Sequence, residues 1–195
     1  MHPALNRNLY FVKEHVGFFK AANNYDVYDP ETNQVVLNCR EERLGVFTKM
    51  FRFTKYKRHT PFEVIIRTPD GQPVLSVGRG VTFFQSLVAV HDDKGERIGS
   101  YRQKFFSLFD RFSVLGVNDQ PLCTLKGNWT SWDFKFMAGE HELARVSKKW
   151  AGLGKELFTS ADNYMLSIAD DVPPDNPLRG LIFGAVMCID LVLKE

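Results

Sequence analysis

The chain has 195 residues, 44% hydrophobic, 25% charged and 13% aromatic, a balance that excludes a disordered, collagenous or low-complexity polypeptide. Its 25 Lys and Arg against 23 Asp and Glu leave a formal charge of +2, too little for wholesale coating of nucleic acid. Nucleic acid is therefore not the expected partner, and any basic working surface must be local. At this length a single domain over 1–195 buries roughly 70% of its extended surface without metal or disulfide staples.

The start, MHPALNRNLY, lacks the apolar core of a signal peptide. Cys39, Cys123 and Cys188 are odd in number and widely spaced. Both features point to a reducing, cytoplasmic setting. From residue 9 onward the chain is rich in Val, Ile, Phe, Tyr and Thr and is punctuated by turn chemistry. The turns fall at 29–34, 69–73, 92–96, 116–119 and 138–140, each supplying Gly, Asn or Asp for a reversal. Between and around them the pattern predicts strands at 9–13, 25–28, 35–40, 62–67, 74–81, 86–91, 98–105, 112–115, 122–126, 133–137, 142–148 and 164–168. Alternation is partial in Phe62, Val64 and Ile66 against Glu63, Ile65 and Arg67, and cleaner in Trp132, Phe134 and Phe136 against Asp133, Lys135 and Met137.

One connection is unlike the others. Residues 40–58, REERLGVFTKMFRFTKYKR, mix Arg40, Arg43, Lys49, Arg52, Lys55, Lys57 and Arg58 with Leu44, Phe47 and Phe51 at helical spacing. Basic charge beside an apolar face suits an anionic membrane surface, where each Lys or Arg contributes roughly 1 kcal/mol. The competing reading is a helix packed on the body with its charges solvated.

The last feature is LIFGAVMCIDLVL at 181–193, apolar on every face except for Asp190. A helix over about 176–194 is expected, with Asn176 as N-cap and Pro177 at the first helical position. The apolar run would be about 20 Å long against a hydrocarbon core of about 30 Å. Crossing a bilayer would need Leu178 and snorkelling ends; the preferred reading is burial inside the protein. About twelve short strands and one greasy helix fit a closed antiparallel barrel with the helix through its centre, a mainly β fold of α+β class. Asp190 must then be hydrogen-bonded or protonated, a structural role.

Here the residues resemble a family. SKKWAGLGKELFTSADNYMLSI at 147–168 and GAVMCIDLVLKE at 184–195 are similar to the phospholipid scramblases, with Trp150, Asp162, Asn163 and Asp190 at matching motif positions. The upstream hairpin rhythm looks like the wider superfamily of tubby C-terminal and LURP-one-related proteins. The resemblance implies a twelve-stranded barrel around a central helix, with Trp150 structural. It also implies phosphoinositide or anionic phospholipid head groups held by basic side chains. By that analogy the lipid-binding candidates are Arg43, Lys49, Arg52, Lys55, Lys57 and Arg58. The family's calcium loop falls on 160–171, where of the ligand positions Ser160, Asp162, Tyr164, Leu166, Ile168 and Asp171 only Asp162 and Asp171 supply carboxylates and Met165 replaces the glycine. Two carboxylates do not hold calcium at signalling concentrations, so no cofactor is expected.

The histidines lack metal spacing, and no P-loop or dinucleotide fingerprint is present. No acid, base and nucleophile constellation points to an enzyme. Two functions follow: a peripheral protein on the inner membrane face that binds, and in the scramblase manner moves, phospholipid; or a soluble regulatory domain with a protein or nucleic-acid partner.

Overall fold

The computed structural model describes residues 1–15, 24–42, 61–80, 87–103, 110–128, 132–148 and 163–193. These form strands β1 (Leu9–Glu14), β2 (Asn24–Tyr28), β3 (Val35–Glu41), β4 (Phe62–Arg67), β5 (Pro73–Arg79), β6 (Leu87–Asp92), β7 (Arg97–Gln103), β8 (Asp110–Leu115), β9 (Pro121–Asn128), β10 (Asp133–Ala138), β11 (His141–Ser147) and β12 (Asn163–Ile168), then helix α1 (Pro177–Leu193). Every predicted strand is present. The expected ends of β5 and β7 run about two residues further, into 81 and 104–105, which lie outside the described residues.

Each strand pairs antiparallel with its sequence neighbours, and β1 pairs with β12 from Leu9 opposite Ser167 to Lys13 opposite Asn163. The sheet therefore closes on itself and has no free edge. Turn chemistry explains the hairpins. The Asp92 carboxylate accepts from the Lys94 and Glu96 amides, both at 2.9 Å, and Gly95 turns the chain at φ 80°. In β4 the alternation is carried out as written, with Phe62, Val64 and Ile66 buried and Glu63, Ile65 and Arg67 facing outward.

The inward faces enclose α1. The Asn176 side chain accepts from the Leu178 amide at 2.9 Å, and Pro177 opens the helix as expected. Leu181, Ile182, Phe183, Val186 and Met187 are fully buried, with Phe183 edge-on to Tyr10 at 5.4 Å. A helix without a polar face is stable only when so wrapped. Among the described residues no helix is long and apolar enough to cross a membrane. The fit is tight: a Cβ at Gly184 would lie 2.6 Å from the Tyr101 hydroxyl, which donates to the Leu181 carbonyl at 2.5 Å. Glycine is required at that crossing. A cavity of about 10 Å³ beside Tyr101, Ala185 and Cys188 is apolar and no larger than a single water.

The one charge at the head of α1 is not wasted. Arg179 is 1% exposed, and its guanidinium donates to the carbonyls of Val172 at 2.6 Å, Arg7 at 2.8 Å and Pro173 at 3.0 Å, and to the Asn8 side chain at 2.6 Å. Asn8 in turn donates to the Asp170 carboxylate at 2.6 Å. A cation opposes the dipole at a helix start, so what stabilises this arginine there is its bonds to those carbonyls. It clasps the N-terminal segment and the approach to α1 over one mouth of the barrel.

Candidate functional site

Because the strands alternate in direction, their connections fall alternately at two rims. The turns 29–34, 68–72, 92–96, 116–120 and 139–140, with the approach to α1 at 169–176, share the rim where the helix begins. They carry eleven Asp and Glu, one Lys and no aromatic residue. The strand ends bounding 16–23, 43–60, 81–86, 104–109, 129–131 and 149–162 share the opposite rim. Those connections carry ten Lys and Arg, two acids and fourteen aromatics, including the pairs Phe18-Phe19, Phe83-Phe84 and Phe105-Phe106. The near-neutral total charge conceals this division between the rims.

The candidate lipid-binding residues Arg43, Lys49, Arg52, Lys55, Lys57 and Arg58 lie outside the described residues; the described residues that flank them, Glu42 and Pro61, adjoin strand ends at that opposite rim. Arg40, grouped with them in the sequence, does something else. Its guanidinium donates to the Asp26 carboxylate at 2.5 Å and the Tyr25 carbonyl at 2.6 Å, while His15 Nε2 lies 2.6 Å from the other Asp26 oxygen. Burial raises the Asp26 pKa, but the hydrogen bonds from Arg40 and His15 outweigh it and hold the carboxyl below its ordinary range. Arg67 pairs with Glu42. These cations hold the barrel wall together.

Trp150 and Asp162 also lie outside the described residues, as does the side chain of Asp190, whose backbone belongs to α1. Asp171 is exposed and sits 2.7 Å from His141 Nε2, linking the approach to α1 with the β10–β11 turn. Tyr164 belongs to β12, the strand expected in place of a calcium loop. Cys39, Cys123 and Cys188 are free and buried; burial pushes all three thiols up, Cys123 to about 12, so none is a nucleophile at neutral pH.

Two residues stand apart from what the sequence suggests. Arg179 has a signal there only as the lone cation in the first turn of an otherwise apolar helix. Alternation puts Trp132 on the inward face of β10, yet it precedes that strand, is half-buried and has φ 48°.

The scramblase family model matches residues 6–195. The chain is 24% identical over 187 residues to altered inheritance rate of mitochondria protein 25 of Saccharomyces cerevisiae, covering 83% of this chain and 56% of that one. It is 22% identical over 142 residues to phospholipid scramblase family member 5 of Homo sapiens, covering 65% of this chain and 51% of that one. The chain thus spans about half the length of these curated relatives. A protein of Arabidopsis thaliana solved by X-ray crystallography superposes with a TM-score of 0.57 at 12% identity, over 97% of this chain and 94% of that one. That likeness concerns the fold, which is of the tubby C-terminal type.

Proposed function

The chain belongs to the scramblase family, and from that premise we propose that it binds the surface of membranes containing anionic phospholipid or phosphoinositide through its basic rim. The observation that carries this reading is the division of charge and aromatic residues between the two rims. Arg43, Lys49, Arg52, Lys55, Lys57 and Arg58 supply the attraction, each worth roughly 1 kcal/mol beside an anionic leaflet. Neighbouring aromatics add interfacial burial. Such binding weakens as salt rises, because exposed charges are screened over about 10 Å at 0.1 M.

No covalent bond breaks when a head group changes leaflet, so the reading needs no catalytic residue. The proposal is binding; with α1 enclosed by the protein's own strands, translocation does not follow from it.

Co-sedimentation with phosphatidylcholine vesicles, with and without phosphatidylserine, tests the proposal. The wild type should pellet only with the anionic vesicles. Combined Lys49→Glu, Arg52→Glu and Lys55→Glu should weaken pelleting by at least about 100-fold, because loss of three cations at roughly 1 kcal/mol each already accounts for that and the added carboxylates repel the leaflet. Unchanged pelleting of the triple variant overturns the proposal as stated, and no pelleting by the wild type favours the soluble regulatory reading instead.

A further inference from the structure

Trp132 combines three features at the basic rim. It is a bulky residue held at φ 48°, a conformation that side chains of its kind rarely adopt and that gathers at working sites. Its ring stacks on Tyr164 at 5.9 Å and 24° and meets Phe134 edge-on at 5.9 Å. The Lys148 ammonium lies 4.0 Å from the ring centroid. Phe134 and Tyr164 are buried, whereas Trp132 and Lys148 are half-exposed. An indole fixed by packing beneath, with a lysine over its face, is the chemistry of the bilayer interface: an apolar body, a polar edge and a cation at phosphate level.

We propose that Trp132 and Lys148 anchor the barrel in the head-group layer, so that the molecule stands end-on, basic rim down and acidic rim in water. The inference rests on the membrane-surface reading above and adds the contact point and the orientation. Charge complementarity fixes which end is down. Asp29, Glu31, Asp70, Asp92, Asp93 and Glu96 are among the eleven carboxylates at the far rim, which an anionic leaflet repels.

The chain has three tryptophans, so Trp129→Phe with Trp150→Phe leaves Trp132 as the sole indole reporter. On adding phosphatidylserine vesicles, its emission should shift to shorter wavelength, resist aqueous iodide and be quenched by lipids brominated near the head group. Binding without any of these changes overturns the anchor while leaving the membrane-surface reading intact. Absence of binding by the wild type overturns both. Quenching by an added oligonucleotide but not by vesicles assigns the rim to nucleic acid and likewise overturns the anchor.

Should the double variant fold poorly, the wild-type background provides a second measurement. Lys148→Glu should lower vesicle affinity severalfold, whereas Lys94→Glu, the same charge change in the opposite rim, should leave it unchanged. Equal losses from the two reversals overturn the orientation.

Discussion

The two rims are built from the same strands by different means. At one, five short turns and the clasp of Arg179 use local hydrogen bonds and carbonyl acceptors, and the charge of those turns is almost wholly negative. At the other, the connections carry fourteen aromatic residues and ten of the chain's 25 Lys and Arg. The first rim spends its sequence on closing the fold, and the second, in the function proposed above, supplies the contact with the membrane. Stability and binding should therefore separate along the barrel axis.

The largest expected effect that would break this separation comes from Arg179. Arg179→Met strands several buried carbonyls and should cost about 3 kcal/mol of stability in denaturant unfolding. Vesicle binding of the folded fraction should be unchanged; a binding loss at constant stability would mean that the two ends are not independent. In the middle of the barrel, Gly184→Ala presses a methyl against Tyr101 and should cost about 1–3 kcal/mol, read as a lowered Tm. Asp92→Ala removes the acceptor for two turn amides and should cost about 1 kcal/mol without affecting lipid.

The smallest effect sharpens the comparison at the basic rim, where Asp26 is a wall residue. Its carboxyl is held below the ordinary value of about 3.9, so its contribution is complete at neutral pH and is lost as pH falls through the lower folded value. Asp26→Asn should flatten the acid end of the stability curve, and the difference from wild type, followed by circular dichroism, should shrink as the pH falls below the ordinary carboxylate range. A difference that persisted undiminished in acid would contradict the assigned sign.

Much of the body is legible in the sequence because its causes are local. Asx turns, glycines and alternation locate all twelve strands, and Asn176-Pro177 before an apolar run locates α1. The β1–β12 closure follows only from what a greasy helix needs, since nothing in residues 9–13 names 163–167 as partner. Arg179 is hard to read because its partners are main-chain carbonyls, which every residue possesses and no sequence advertises. Arg40 falls into the wrong group for a related reason: a cation reads as free until the strand register brings Asp26 beside it. The division of charge between the rims is written in the sequence, but only topology sorts alternate connections into two groups.

The seam between β1 and β12 also sets an order of events during synthesis. Leu9 must wait for Ser167 before the ring can shut, and α1 emerges from the ribosome later still. Such long-range closure makes for slow folding. Until the final strand and the helix meet, the nascent protein presents both an open sheet margin and an unsheltered oily segment, the combination that chaperones recognise.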